Sequence, residues 1–477
     1  MTLSRRELLK YVGVAGMAFS VSSARAGQAI DVGQRPARPT VAIVGSGMAG
    51  HAMAWLLDGE FNSCLIEKND YLGGHCRTLP TQLSTGETIN ADLGAQFVSP
   101  DMHPNYFKLL DLLGISHSMI KNDMTLSMHA NLDGDPIFVS PLFFKRMWPL
   151  FRTWNLKGLS TFSKLSTTAL EFEASAPLPD ITFHEFLNSL DISDGEKKRI
   201  VLTLSSGMGG CSYSERLEFS ARMALAFFSR TVSENPFKAI QYYISKEGLG
   251  GNLRLMREKC QHLEACVAES ILEISNIGNG YYIKTNKRRF FADHLIFACP
   301  PYAVAQLIQR IKYVNIDPLL LRTLDRFRYY STRLALHTDN IYSHKNVQFR
   351  SLYNIVQGEG RAEASVDYGG LFGTHGALYK SWVTDRERSS AEEIVSQSFL
   401  HPQVTPDFVR AQKTMEQFQG RNRIWFAGSW TSIFDVDSQD TALMSAFRLA
   451  KKIYPDASNF KKFETHKPAV TADLYPA

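Results

Sequence analysis

The sequence predicts an α/β fold built on a parallel sheet, and three neighbouring features carry that prediction. The apolar run 40–44 (TVAIV) is typical of a buried parallel strand, because its residues do not alternate with polar ones. Helical patterning follows over 48–57, and a second apolar strand is predicted over 63–67. Strand, helix and strand in this order form a βαβ unit, whose two strands lie parallel. A chain of 477 residues, 44% of them hydrophobic, also has room for roughly two to four domains.

A glycine-rich loop joins the first strand to the helix and matches the pattern GxGxxG. The first glycine permits a tight turn, the second lets a pyrophosphate approach the backbone, and the third lets the helix pack on the strand. Glu67 lies 22 residues beyond Gly45, close to the spacing of about 20 expected for a carboxylate that binds ribose hydroxyls. The alternative for Glu67 is a surface acid at a strand end. The sequence therefore predicts a Rossmann-type dinucleotide site formed by Gly45, Gly47, Met48, Ala49, Gly50 and Glu67.

The N-terminus is typical of an export signal. Residues 4–10 (SRRELLK) place two arginines before a short, mildly apolar stretch, and Ala24-Arg25-Ala26 offers the small residues that signal peptidase needs. We expect a twin-arginine signal peptide over 1–26, a linker over 27–37, and export of the folded chain to the periplasm by the twin-arginine translocase. An ordinary secretory signal or a retained amphipathic anchor is the alternative.

Charge and composition argue against nucleic acid and against a metal centre. The formal net charge is +5, but residues 1–26 supply +3 of it and no basic run follows, so no nucleic-acid partner is expected. The six cysteines form no CxxC pair and are interpreted as core residues. The histidines lack HExxH or any paired short spacing, so no metal is predicted. The histidines considered are His75, His103, His294, His337, His344 and His375.

Residues 141–157 (PLFFKRMWPLFRTWNLK) mix large apolar and basic side chains. A core helix whose lysine and arginine stems extend to solvent explains this composition. A wall of an apolar substrate channel, or a patch that touches a membrane peripherally, is the alternative.

Two further motifs give the chain a family resemblance. Residues 71–78 (YLGGHCRT) and 92–97 (DLGAQF) follow Glu67 in order. They resemble the Gly-Gly-Arg-x-x-Thr and D-x-G-(A/G)-x-x-F/V stretches of the flavin amine oxidase and phytoene desaturase superfamily. The resemblance implies a bound FAD and places the second stretch near its flavin ring. His75 replaces the arginine of the family pattern, and Arg77 is a partial substitute for that cation. The cofactor residues implied here are Gly73, Gly74, His75, Arg77, Gly94, Ala95, Gln96 and Phe97.

The resemblance extends to about residue 450. Val267 matches a position whose backbone contacts adenine, residues 423–430 (RIWFAGSW) resemble the segment that reaches the ribityl and phosphate groups, and residues 440–446 match a helix whose N-terminus faces the flavin. These stretches add Val267, Gly428, Asp440, Ala442 and Leu443 to the implied cofactor residues. We therefore expect an FAD-binding domain from 38–110, 240–325 and 415–460, a mixed α+β substrate domain from 111–239 and 326–414, and a tail over 461–477.

Departures from the family pattern bear on the reaction. Thr332 stands where amine oxidases commonly hold a lysine near the flavin, Ser438 stands at an aromatic position of the substrate cage, and Trp430 replaces an acid. The predicted substrate contacts are Phe97, Thr332 and Trp430, and no catalytic acid or base is identified. The chain looks most similar to a bacterial branch of amine-oxidase-like flavoproteins, some members of which occur beside fatty-acid-modifying enzymes.

These observations favour an exported FAD-dependent oxidoreductase that removes hydride from an apolar, lipid-like small molecule and thereby oxidises, desaturates or isomerises it. An amine oxidase that produces imine and peroxide is the second hypothesis, and Thr332 and Ser438 count against it. A flavin-binding electron carrier or assembly factor, and a nicotinamide-only enzyme, are the remaining alternatives.

Overall fold

A computed structural model describes residues 38–142, 145–175, 180–231, 241–374, 376–386, 390–432 and 437–467. The predicted signal peptide, the predicted linker 27–37, His375 and residues 468–477 of the predicted tail lie outside the described residues.

A five-stranded parallel sheet confirms the predicted fold class. Its strands run in the order Ile424–Phe426, His294–Phe297, Thr40–Val44, Asn62–Ile66 and Leu263–Cys266, and every neighbouring pair is parallel. In the central strand, Val41 and Ile43 pack into one hydrophobic cluster, whereas Ala42 and Val44 pack into another. Burial on both faces explains why this strand is a continuous apolar run.

Helices cover one face of the parallel sheet, and a second sheet with further helices covers the other. The first face carries the helices Met48–Leu56, Pro104–Leu112, Gly248–Glu258, Gln439–Ile453 and Ser458–Thr465. The opposite face carries the strands Arg289–Ala292, Tyr281–Thr285, Ile271–Asn276 and Ile311–Lys312 and the helices Pro301–Ile308, Pro318–Leu324 and Pro406–Met415. Three strands of this second sheet, from Ile271 to Ala292, form an antiparallel meander.

A seven-stranded sheet organises the remaining core. Its strands follow the order Glu393–Pro402, Tyr329–His337, Tyr379–Trp382, Ala362–Asp367, Tyr353–Gln357, Leu126–His129 and Phe138–Val139. The associated helices are Thr153–Glu173, Phe183–Ser189, Asp194–Glu196, Thr203–Gly209, Tyr213–Leu217, Ala221–Thr231 and Tyr368–Phe372, with a π-helical turn at Lys197–Leu202. Two antiparallel pairs complete the strands: Thr78–Gln82 with Thr88–Asp92, and Met119–Asp123 with Gln241–Ser245.

The region 103–240 contains strands that pair with distant parts of the chain. Met119–Asp123 pairs with Gln241–Ser245, and Leu126–His129 pairs with Tyr353–Gln357. Both partners are more than 100 residues away, so the local pattern holds no signal for them. Within the described part of the chain, no helix combines the length and apolar character needed to cross a membrane.

Candidate functional site

Close backbone contacts fix the glycine loop at the carboxyl edge of the parallel sheet. Gly45 has φ +107°, and its amide donates to the Ile66 carbonyl at 2.9 Å. A Cβ atom on Gly50 would lie 2.0 Å from the Gly45 carbonyl oxygen. The Gly45 turn and the close Gly50 packing therefore require glycine for the fold itself.

Gly47 differs from its two neighbours in the motif. It is the N-cap of the helix Met48–Leu56, with φ −68°, and a Cβ atom placed on it would meet no atom within 4 Å. Neither its backbone angles nor its packing requires glycine. The open space lies where the first helical amides point outwards, which is the position that a pyrophosphate takes in such loops. The glycine at 47 thus fits a dinucleotide ligand.

Glu67 lies at the end of the strand Asn62–Ile66 and is 6% exposed. Its Oε2 accepts hydrogen bonds from the Ser46 amide at 3.1 Å and the Ser46 hydroxyl at 2.7 Å, and its Oε1 accepts from the Asn69 amide at 3.0 Å. Each carboxylate oxygen carries two lone-pair sites, so Oε1 keeps acceptor capacity for a ribose hydroxyl. This position supports the predicted ribose contact over a surface acid.

We expect Glu67→Gln to weaken FAD binding by about tenfold and to lower the free energy of unfolding by about 1–3 kcal/mol. A glutamine side chain has one acceptor oxygen, so one amide N–H would face the donors that now surround the carboxylate. Flavin titration and urea unfolding measure the two effects. Glu87→Gln, at an exposed position, is the matched control. Equal losses in both variants would contradict the assignment.

The two motifs that follow Glu67 pack on the glycine loop and on each other. The Gly73 amide lies 3.1 Å from both the Ser46 carbonyl and the Ser46 hydroxyl, and a Cβ on Gly74 would lie 3.4 Å from the Gly47 Cα. The Ala95 amide donates to the His75 carbonyl at 2.8 Å, and a Cβ on Gly94 would lie 2.0 Å from that oxygen. The structure therefore brings the predicted residues Gly45, Gly47, Gly73, Gly74, His75, Gly94 and Ala95 together.

His75 and Arg77 turn their side chains to the seven-stranded sheet. The His75 Nε2–H donates to the Leu400 carbonyl at 3.0 Å, and the ring centroids of Phe399 and His401 lie 5.5 and 5.3 Å away. His75 is exposed as a residue, but the side chains packed around its ring desolvate the imidazole, which lowers its pKa. Arg77 donates to Gln397 and stacks over Tyr71 at 4.6 Å. Arg77 thus joins the nucleotide loops to the strand Glu393–Pro402.

Lys380 is a site residue that the sequence analysis missed. Its side chain is 1% exposed, and its ammonium donates to the Gly94 carbonyl. Burial lowers the pKa of Lys380 and raises the pKa of Asp92, and the two charges attract each other. Asp92 also accepts from the Leu249 amide at 3.0 Å and the Thr78 hydroxyl at 2.5 Å. A lysine within a short strand that begins and ends with the aromatic residues Tyr379 and Trp382 was the signal that could have identified it.

Aromatic side chains surround Phe97. Its ring centroid lies 5.6 Å from Tyr242 and 6.3 Å from Tyr353, and Tyr353 lies 6.0 Å from Trp382. Gln96 lies next to Phe97, and its Oε1 lies 3.1 Å from the Tyr368 hydroxyl. Thr332 lies fully buried in the strand Tyr329–His337 of the seven-stranded sheet, to which Tyr353 also belongs. The Thr332 hydroxyl has no hydrogen-bond partner among the described residues.

Other predicted cofactor residues lie at the same edge of the parallel sheet, in different roles. Val267 directly follows the strand Leu263–Cys266, beside Glu67. Gly428 has φ +134°, and its amide donates to the Ser445 hydroxyl at 2.8 Å. Asp440 accepts from the Tyr106 amide at 2.6 Å and the Asn105 side chain at 2.8 Å, so its carboxylate caps the helix Pro104–Leu112. The last two predicted cofactor residues follow Asp440 in the same helix: Ala442 is partly exposed, and Leu443 is fully buried in the core.

The structure places Trp430 away from the predicted substrate contacts Phe97 and Thr332. Its side chain is 4% exposed, packs 5.2 Å from Phe327, and donates its indole N–H to the Cys299 carbonyl at 3.2 Å. Trp430 is therefore a core residue under the parallel sheet, which corrects the sequence expectation. Ser438, at the family's cage position, accepts from the Thr441 amide at 3.2 Å and caps the helix Gln439–Ile453.

His51, one turn into the first helix, ties this helix to its neighbour Gly248–Glu258. It is 1% exposed; its Nδ1–H donates to the Gly47 carbonyl at 3.2 Å, and its Nε2 faces Arg257 at 3.2 Å. Arg257 can only donate, so His51 is neutral with its proton on Nδ1. Burial, reinforced by the Arg257 charge, lowers the pKa of His51 to about 4.

We expect this histidine to make the protein acid-sensitive. The unfolded chain binds a proton at His51 near pH 6.5, whereas the folded chain does so only near pH 4. The stability from neutral His51 is therefore present above pH 6.5 and is lost as the pH falls to about 4, by up to about 1.4 kcal/mol per pH unit. His51→Asn, which cannot take the proton, should flatten this slope in urea unfolding. An unchanged slope, or the same change in the exposed control His117→Asn, would contradict the assignment.

Four of the histidines considered for a metal have protein groups as partners. Partners within hydrogen-bond distance are the Ser99 amide for His103, the Trp425 indole for His294, the Ser381 hydroxyl for His337 and the Gly134 carbonyl for His344. Among the described residues, one group has metal-ligand spacing: Cys64, Glu264 and Cys266 lie within 4.8 Å of one another. The Arg288 guanidinium contacts the sulfurs of Cys266 and Cys64 at 2.7 and 3.1 Å. A cation therefore already lies at this cluster.

The parallel sheet, the glycine loop and the buried carboxylate define a dinucleotide-binding protein of the Rossmann type. A family model described as an NAD(P)-binding Rossmann-like domain matches residues 43–113. A search of curated proteins gave no significant match.

Solved structures share the fold over most of the chain. A protein described as a protoporphyrinogen oxidase, from Exiguobacterium sp. 255-15, is 14% identical with a TM-score of 0.61, over 88% of this chain and 99% of that one. A fatty acid isomerase from P. acnes that produces CLA is 13% identical with a TM-score of 0.59, over 87% and 99%. Putrescine oxidase bound to putrescine is 15% identical with a TM-score of 0.58, over 88% and 99%. At these identities, the similarity shows the fold.

Proposed function

We propose that this protein is an exported FAD-dependent oxidoreductase that removes hydride from an apolar, lipid-like substrate. The observation that carries the nucleotide half of the proposal is Gly47, since a glycine that neither backbone angles nor packing requires marks the approach of a phosphate. Its loop lies beside the buried Glu67 carboxylate and against the 73–75 motif, which the family resemblance assigns to FAD.

A bound flavin supplies the redox chemistry by accepting a hydride from a substrate C–H bond. The chain's own residues bind and orient the substrate and exclude water. The aromatic rings of Phe97, Tyr242, Tyr353 and Trp382 form a continuous apolar wall, and Tyr353 and Trp382 belong to the seven-stranded sheet. The Tyr353 hydroxyl donates to the Gly207 carbonyl at 3.0 Å, so its polar end is satisfied.

Neutral side chains at two positions of the family pattern favour an apolar substrate over an amine. Thr332, at the family's lysine position, is buried and neutral, and Ser438 serves as a helix cap rather than as a cage residue. Among the solved structures of this fold, the fatty acid isomerase is described as acting on a fatty acid.

The direct test of this proposal is anaerobic bleaching of the purified flavoprotein by a panel of unsaturated fatty acids and amines. We expect unsaturated fatty acids to reduce the flavin, or to be isomerised with transient reduction, and Phe97→Asp to abolish the effect. Reduction by amines alone would establish the amine oxidase hypothesis instead. A flavin that no small molecule reduces would favour an electron carrier or assembly factor.

Export is tested with the twin-arginine pair itself. We expect Arg5→Lys/Arg6→Lys to hold the protein in the cytoplasm of a bacterial host, because the translocase recognises this pair. The control Arg25→Lys, which keeps the pair, should still reach the periplasm. Export of the double variant at the wild-type level would contradict the twin-arginine route.

A further inference from the structure

Two separate segments, 145–157 and 344–350, form one apolar surface. The ring centroids of Trp148, Trp154 and Phe349 lie 5.6 to 6.3 Å from one another, so the three rings form a single cluster. The side chains around it are unusually exposed for apolar residues: Phe151 is 79%, Val347 is 67% and Leu156 is 50% exposed. We call these six residues the aromatic patch.

The core-helix interpretation of 141–157 does not account for this surface. The helix Thr153–Glu173 buries Asn155 and Gly158 against the fold and leaves Leu156 in solvent, while Phe151 precedes the helix in a short 3₁₀ turn. Phe151 and Leu156 lie near each other in sequence and are both exposed, so the protein lacks the folding free energy that burial of either side chain would contribute. An apolar partner that covers the patch would recover it.

Positive charge surrounds the aromatic patch. The two segments contain six lysines and arginines and no acidic residue. Lys145 pairs with Asp123 and Lys345 pairs with Asp133. Arg152 and Arg350 are exposed, and no ion pair joins either of them to an acid of the described residues. Because residues beyond 26 carry only +2 in total, this is a local concentration of charge rather than a general property of the surface.

We propose that the aromatic patch docks the protein on the surface of an anionic lipid bilayer. Tryptophan rings lie preferentially at the boundary between headgroups and acyl chains, exposed phenylalanine and leucine side chains insert below it, and lysine and arginine pair with anionic headgroups. All three residue classes occur here on one surface. The patch lies beside the seven-stranded sheet. Arg146 donates to the Arg350 carbonyl at 2.9 Å, so the two segments that form the patch contact each other.

Flotation of the full chain with phosphatidylcholine vesicles, with and without phosphatidylglycerol, tests this proposal. We expect binding to the anionic vesicles that weakens as salt is raised, and little binding to the neutral ones. Phe151→Glu and Leu156→Glu should each weaken binding by about tenfold, because a carboxylate opposes both insertion and the headgroup charge. Leu272→Glu, at a leucine that is 51% exposed on a different sheet, should bind like the wild type. Residues 1–26 are common to all the variants, so the difference between Leu156→Glu and Leu272→Glu reports the patch alone.

Three outcomes would overturn the proposal: no binding to anionic vesicles, binding that Phe151→Glu and Leu156→Glu leave unchanged, and a dimer in solution that these variants dissociate. The last outcome would identify a second copy of the chain as the occupant. Thermal unfolding of each variant verifies that it is folded. Vesicle binding requires no flavin, so this inference and the proposed oxidoreductase function fail independently.

Discussion

Gly47→Ala is expected to abolish stable FAD binding while the apoprotein stays as stable as the wild type, within about 0.5 kcal/mol. The added methyl group meets no protein atom within 4 Å, and a φ of −68° suits alanine. It would, however, occupy the space through which a pyrophosphate approaches the helix N-terminus. A loss of affinity of about 100-fold or more, near 2.7 kcal/mol, is expected by flavin titration.

Two other glycines provide the comparison for Gly47. A methyl group on Gly50 would lie 2.0 Å from the Gly45 carbonyl oxygen, so Gly50→Ala should destabilise the fold as well as remove the cofactor. Gly195 has open space around it and lies far along the chain, so Gly195→Ala should change neither property. If Gly47→Ala bound FAD with wild-type affinity, the proposed position of the pyrophosphate at Gly47 would be wrong.

Lys380→Met is expected to destabilise the protein by about 3–5 kcal/mol at neutral pH. The variant removes a buried ammonium and leaves the Asp92 carboxylate, which is 2% exposed, without its counter-charge. Urea unfolding measures the loss. The double variant Lys380→Met/Asp92→Asn should recover part of it, since neither charge then remains buried. If the free energy of unfolding of Lys380→Met lay within about 1 kcal/mol of the wild-type value, the two groups would not interact as a pair.

The cost of Lys380→Met should depend on pH in a defined direction. Burial raises the pKa of Asp92 above that of an unfolded aspartate, so the folded state gains stability from a proton at Asp92 at acidic pH. This contribution is lost as the pH rises through the pKa that Asp92 has in the folded protein. The variant should therefore be closest to the wild type in mild acid and furthest from it near neutral pH. At alkaline pH the difference should narrow, because burial lowers the pKa of Lys380 to about 7 and the wild type then loses its ammonium as well.

The nucleotide half of the site could be predicted because its requirements are local. A strand, a turn that needs Gly45, a helix that needs Gly50, and a carboxylate at the next strand end all lie within 28 residues. Each of these residues meets a constraint set by its near neighbours in sequence. The pattern of residue types therefore predicts these positions directly.

The ring half of the site depends on contacts that the local pattern does not encode. Lys380 reaches Gly94 across 286 residues, and Tyr353 reaches Phe97 across a similar separation. Asp440 looked like a cofactor residue because it begins a helix, yet it caps another helix 334 residues away in sequence. Trp430 follows the FAG segment but turns into the core, since Phe327 and Cys299 accommodate its ring and its indole N–H. Such assignments require the tertiary fold.

In the proposed site, the Gly45–Gly50 loop and Glu67 hold the adenine half of a flavin nucleotide. Calorimetric titration of the full-length apoprotein with FAD, NAD and NADP measures this binding. We expect stoichiometric, tight binding of FAD, no competition by either nicotinamide nucleotide, and loss of FAD binding in Gly47→Ala. A folded apoprotein that binds no FAD, or that binds a nicotinamide nucleotide more tightly than FAD, would contradict the proposed site.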